Sequence, residues 1–172
     1  MTLTEFESIV TRHQDRVFGY AVRLLGDRDQ AKDVVQDAMI RMWNHRERVE
    51  IEGAVSWLLR VTHNACIDVL RRRKLETKIF EGDADTERVG GGERSPSSLA
   101  ESSDMMAHLQ DAIARLKEPY RSIVVLREIE DFRYEEICGA LDLPMSTVKV
   151  YLHRARKQLR KTLEEELHLE LA

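Results

Sequence analysis

Apolar residues recur every three or four positions along most of this chain, the spacing of helices that bury one face. Phe6, Val10, Val17, Ala21 and Leu24 predict a first helix, with Gly26 as its stop. Asp27 or Asp29 caps a second, striped by Ala31, Val34, Val35, Ala38 and Met42. After Gly53 a third carries Ala54, Leu58, Val61, Ala65 and Val69. It ends at Arg71-Arg72-Arg73-Lys74, where basic side chains suit the negative end of a helix dipole. A second helical region follows. Ser103 or Asp104 caps a helix with Leu109, Ala112, Ile113 and Leu116, and Pro119 suits the first turn of another with Ile123, Val124 and Ile129. A short helix spans roughly 134 to 141, and a last one carries Val148, Leu152, Ala155, Leu159 and Leu163. No alternating strand pattern competes, so the expected class is all-α.

Between these regions the pattern lapses. Residues 75–104 include Glu81-Gly82-Asp83-Ala84-Asp85 and Gly90-Gly91-Gly92-Glu93, which are polar and poor in apolar side chains. The reading is two small helical domains, 1–74 and 105–172, joined by a flexible acidic linker over 75–104. The length of 172 residues accommodates that division. The 8 Gly and 3 Pro are too few for a turn-rich β protein or a collagen, and the 2 Cys are too few for a disulfide scaffold. No apolar run approaches the roughly 18 residues of a membrane span. Glu5 and Glu7 interrupt any secretory signal, and Cys66 and Cys138 lie far apart. The expectation is a cytoplasmic protein without membrane insertion.

Charge changes the picture. The net of −4 averages unlike parts: +2 over 1–74, −5 over 75–104 and −1 over 105–172. Within 145–163 stand Lys149, Arg154, Arg156, Lys157, Arg160 and Lys161 with no acid, and Arg71–Lys74 is a second basic block. Local fields outweigh net charge in phosphate binding. The helices at 134–141 and 146–163, joined by Asp142-Leu143-Pro144-Met145, have helix-turn-helix character. Such a connection projects the first turn of the second helix into a major groove. Ser146 and Thr147 can cap that helix or touch DNA; Lys149, Val150, His153 and Arg154 can reach base edges; Arg156, Lys157, Arg160 and Lys161 suit phosphates. His63-x-x-Cys66 has metal half-site spacing but no second pair. No nucleophile elbow or phosphate-cradling loop is present, so no enzyme, metal or cofactor is expected. On the residues alone two functional classes remain: a stand-alone helix-turn-helix regulator or a helical interaction adaptor.

The motifs add a third through a family resemblance. Leu116-Lys117-Glu118-Pro119-Tyr120-Arg121, Tyr134-Glu135-Glu136-Ile137, Ser146-Thr147-Val148-Lys149 and Leu152-His153-Arg154-Ala155-Arg156 resemble the fourth conserved region of extracytoplasmic-function (ECF) sigma factors. Asp33-Val34-Val35-Gln36-Asp37 followed by Trp43 resembles the family's polymerase-binding helix. Trp57-Leu58, Asn64, Asp68 and Arg71-Arg72-Arg73 resemble the part that opens and reads the −10 element. The resemblance implies that Asp33, Gln36, Asp37 and Trp43 meet the β′ coiled coil of core RNA polymerase, with the β flap as a further contact. It implies that Asn44, His45, Arg46, Arg60, Asn64, Asp68, Arg71, Arg72 and Arg73 handle the single-stranded −10 element. Ser146, Thr147, Lys149, Val150, His153, Arg154, Arg156, Lys157 and Arg160 would handle the −35 element. A restraining anti-sigma protein is the further implied partner. The loop 44–53 lacks the family's Phe-Arg-Gly-like start. Val150-Tyr151 stand where many members have Ser-Arg, and Asp142 replaces a common turn glycine.

Overall fold

The computed structural model describes residues 1–81 and 102–170. The first domain is three helices: α1 (Leu3–Leu25), α2 (Arg28–Asn44) and α3 (Ala54–Glu81). Local chemistry sets their ends. Thr2 and Glu5 form a reciprocal capping box at the start of α1. Gly26 closes α1 in the left-handed conformation, φ 66°, and donates to the Val22 carbonyl at 2.8 Å. Asp27, rather than Asp29, caps α2 by accepting from the Gln30 amide at 3.0 Å. Removing that acceptor with Asp27→Ala should lower stability by about 1 kcal/mol, read as a shifted urea midpoint.

Most of the predicted stripe positions of the first domain form its core, whereas Phe6, Val10, Val61, Ala65 and Val69 are only partly buried against it. Val17, Ala21, Leu24, Ala31, Val34, Val35, Ala38, Met42, Ala54 and Leu58 are all buried. The third helix is longer than expected. It passes through the basic block and continues to Glu81, because no glycine or proline stands before Gly82. The first residues of the expected linker are therefore helical, as are Ser102–Asp104 at its end. The stretch between, 82–101, lies outside the described residues.

The second domain comprises α4 (Ser102–Ala114), α5 (Tyr120–Val124), α6 (Tyr134–Leu141) and α7 (Met145–Glu170). The expected caps Ser103 and Asp104 thus fall within the first turn of α4. Pro119 stands just before α5 rather than inside it. α5 runs directly into a π-helical turn, Val125–Ile129, closed by the Glu130 amide on the Val125 carbonyl at 3.0 Å. All six residues from Arg121 to Leu126 are buried. α6 ends at Asp142, which adopts φ 56° and ψ 43°. Asp tolerates this left-handed geometry better than most residues, so it serves where a glycine is common. Residues 142–144 then turn the chain into α7.

The domains pack on one another. α6 lies along α3, and the segment following α5 lies along α1.

Candidate nucleic-acid interface

α7 separates its faces cleanly. Val148, Leu152, Ala155 and Leu159 are buried, while Lys149, Val150, His153, Arg154, Arg156, Lys157 and Arg160 are exposed. Since α7 begins at Met145, Ser146 and Thr147 lie in its first turn; they do not cap it, and Ser146 is exposed. Lys149 Nζ sits 5.7 Å from the Tyr134 ring centroid, and Arg156 pairs with Glu128 at 2.5 Å. Tyr151 turns inward against Tyr120, ring centroids 5.1 Å apart. His153, Arg154, Lys157 and Arg160 make no ion pair among the described residues. The result is a row of cations without an ion pair, Arg154, Lys157 and Arg160, beside one apolar patch, Val150, on the helix after a tight turn. That arrangement suits phosphate neutralisation with a base-edge contact near the N-terminal end.

In the first domain, Asp33, Gln36 and Asp37 share an exposed face of α2, spaced i, i+3 and i+4. Ile40, one turn on, is 49% exposed. Trp43 is half-buried within its own domain, 5.1 Å from the Phe6 ring, with the Arg46 guanidinium 4.4 Å over it. Trp57 is likewise half-buried and meets the His45 ring at 6.1 Å. Asn44, His45, Glu47 and Arg48 line a shallow hollow of about 230 Å³. A second groove of about 260 Å³ runs between α2 and α3, lined in part by Asp37, Arg41, Asn64, Asp68 and Arg72. It brings three of the residues assigned to −10 DNA beside the acidic face of α2.

The basic block divides. Arg71 faces solvent and pairs with Asp68 at 3.5 Å. Arg72 is exposed. Arg73 turns into the fold, donating to the Leu25 carbonyl at 2.7 Å and to Gln30 Oε1 at 2.8 Å. It satisfies the C-terminus of α1 and is not presented to solvent as Arg71 and Arg72 are. Arg60 is also engaged: it donates to the Gly139 carbonyl at 2.9 Å and pairs with Asp142 at 3.2 Å, both in the second domain.

Sequence reasoning missed the contact between domains. Tyr20 is fully buried, its hydroxyl 2.7 Å from His63 Nδ1 and 3.0 Å from Ser122 Oγ. Burial pushes the Tyr20 hydroxyl up, His63 down to about 4 and the Cys66 thiol up to about 12. His63 and Cys66 therefore belong to this packing rather than to a metal half-site. Arg121 reaches across to the Arg23 and Leu24 carbonyls, both at 2.7 Å. Arg16 donates to the Glu130 carbonyl at 2.7 Å and lies 3.9 Å over the Phe132 ring. One available signal was glycine: Gly19 and Gly139 stand inside helices, where glycine is about 1 kcal/mol worse than alanine.

Two small helical bundles, one bearing a helix-turn-helix with a cationic outer face and the other an exposed face of Asp33, Gln36 and Asp37 on α2, define a two-part transcription factor. The sigma-70 region 2 model matches residues 9–76, and the sigma-70 region 4 model matches residues 107–159. The chain is 33% identical to the ECF RNA polymerase sigma factor SigE of Mycolicibacterium smegmatis over 94% of its own length and 62% of that relative's. It is 30% identical to the ECF RNA polymerase sigma factor SigW of Bacillus subtilis over 93% of its length and 89% of that protein's. The sigma factor RpoE of Bartonella quintana, solved in complex with the anti-sigma factor NepR, shares the fold. Its TM-score is 0.71 at 22% identity, covering 94% of this chain and 98% of that one. The chain belongs to the ECF RNA polymerase sigma factor family and acts in promoter recognition.

Proposed function

We propose that α7 reads the −35 element through Lys149, Val150, His153 and Arg154, with Arg156, Lys157 and Arg160 on phosphates. The first domain binds core polymerase through Asp33, Gln36, Asp37 and Ile40, and holds the unpaired −10 strand along Asn64, Arg71 and Arg72. The β′ coiled coil is the partner that suits the acidic face, because a helix pair can offer it arginines; the β flap is assigned to the second domain. Trp43, packed on Phe6, shapes that face from beneath. Arg73 is a structural group in this reading, and Arg60 becomes available to DNA only when the domains part. An anti-sigma protein is the expected restraint, by analogy with the solved NepR complex. The work is cytoplasmic; among the described residues no helix is long and apolar enough to cross a membrane.

The carrying observation is the combination, in one chain, of an exposed cationic face on α7 with an exposed acidic face on α2. A stand-alone repressor has no need of the second. Run-off transcription with core polymerase tests it: a transcript is expected from a promoter with a matching −35 and −10 pair. Silence across a panel of candidate upstream regions would overturn the reading. Asp33→Ala with Gln36→Ala should weaken core binding while leaving −35 duplex binding unchanged. Equal core affinity in a pull-down titration would remove that face from the interface.

A further inference from the structure

We infer that Val150 fixes one base pair of the −35 element as thymine–adenine, by seating on the thymine C5-methyl group in the major groove. The inference rests on the promoter reading above and adds which base one position selects, and why.

The outward ridge of α7 supplies the geometry. The buried residues Val148, Leu152, Ala155 and Leu159 are spaced four, three and four apart. Ser146, Val150, His153 and Lys157 repeat that spacing two positions earlier, and all four are exposed. Two positions are about 200° of an α-helix, so this ridge stands opposite the core. A major groove about 12 Å wide admits one helix, and the ridge opposite the core enters deepest. Lys149 and Arg156 lie on one flank, where Lys149 Nζ is 5.7 Å from the Tyr134 ring centroid and Arg156 pairs with Glu128. Tyr151 is turned back onto Tyr120. Val150 is left uncovered, 46% exposed.

Val150 is the one apolar side chain among those four. Lysine has a long flexible stem and can swing between a phosphate and a base edge. A valine cannot: a single stiff torsion fixes its two methyls, so it touches only what lies in front of it. It also has no donor or acceptor to offer. Placed against guanine O6 and N7, adenine N6 and N7 or cytosine N4, it strips water from polar groups and returns no hydrogen bond. The thymine C5-methyl is the one apolar group that the four bases present in the major groove. Against it, two apolar surfaces leave water together.

The place of Val150 along the helix agrees. It stands in the second turn of α7, which begins at Met145, and the N-terminal residues of a recognition helix are those that contact base edges. His153 and Arg154, three and four positions on, bring hydrogen-bonding groups beside it. One base pair is therefore read by shape between neighbours read by hydrogen bonding. Such a contact selects by exclusion as much as by attraction, since any other pair leaves a polar atom without a partner. A different base pair there should weaken binding roughly five- to 150-fold. Loss of the methyl alone should weaken it about fourfold.

The test uses holoenzyme assembled from the full chain and core polymerase. Promoter duplexes randomised over both elements are selected for binding, and the enriched −35 sequence should hold one position as thymine on one strand. Replacing the thymines of that sequence one at a time by deoxyuridine removes only the methyl. At one position this should weaken wild-type binding about fourfold and leave binding by Val150→Ser unchanged. Selection with Val150→Ser should lose the thymine preference at that position and keep the rest of the sequence. Val150 is exposed, so the substitution leaves the packing of α7 intact. Three results overturn the inference: no enriched thymine in the −35 region, no loss with deoxyuridine at any position, or the same loss for wild type and Val150→Ser. In each of these an enriched −35 sequence still upholds the promoter reading. A library from which wild-type holoenzyme enriches no −35 sequence would overturn that reading itself, and the inference with it.

Discussion

The Leu152→Ala chain should lose −35 recognition although Leu152 touches no DNA. Leu152 is 1% exposed and packs on the inner stripe of α7 with Val148, Ala155 and Leu159. Truncating a buried leucine removes its burial energy and leaves a cavity, about 2–5 kcal/mol in total. A helical domain of this size has roughly 3–5 kcal/mol to lose. The helix-turn-helix should therefore melt while the first domain persists. Far-UV circular dichroism should show lost helix, and urea unfolding should separate into two transitions. The contrast is Arg154→Ala, an exposed position that should leave the urea midpoint in place. It should weaken −35 binding by about 1–3 kcal/mol if the guanidinium reads a base. An equal loss on unrelated duplexes would mark it as a phosphate contact. If Leu152→Ala bound DNA normally with an intact unfolding curve, the packing assigned to α7 would be wrong.

The ease of reading α7 from sequence has a physical cause that also explains what was harder. α1, α2 and α7 are amphipathic, so burial on one side imprints a period on the residues. At Asp142 the sequence marks only a residue standing where the family commonly has a turn glycine, and Asp accepts the left-handed backbone that the position adopts. The segment Arg121–Leu126 is buried on every side, with a second domain over it, and carries no period to read. Its π-helical continuation follows from that packing. The far end of α3 was missed because helical propensity, not burial, sustains it: Leu75 and Ile79 are 60% and 79% exposed. In the site, the outward cations of α7 were legible because they share one acid-free stretch. Arg73 and Arg60 were not separable from other arginines by type. What distinguishes them is a carbonyl from a distant element, Leu25 for the first and Gly139 for the second. No spacing rule connects residues 48 or 79 positions apart.

Acid should loosen this protein through His63 before it titrates most carboxylates. His63 is half-buried in α3 between Tyr20 and Ser122, and burial lowers it from an ordinary 6.5 to about 4. Above pH 6.5 the ring is neutral in both folded and unfolded chains, and its site contributes no pH dependence. As pH falls below 6.5, the unfolded chain takes the proton first, so stability drops until about pH 4, where the folded ring protonates as well. The loss is on the order of 2 kcal/mol at pH 5. His13, lowered chiefly by burial and then by Arg16, acts in the same direction. Glu130, raised chiefly by burial, acts in the opposite one. The His63 contribution is therefore read as a difference: urea midpoints at pH 7.5 and pH 5.0 for wild type and His63→Gln. Wild type should lose about 2 kcal/mol more than the variant over that interval. Parallel losses would show that His63 is not the responsible group. Because Ser122 belongs to the second domain and His63 to the first, protonating this ring places a cation in the contact between domains. The same acid step should therefore part them before either domain unfolds, raising the radius of gyration while helical signal persists.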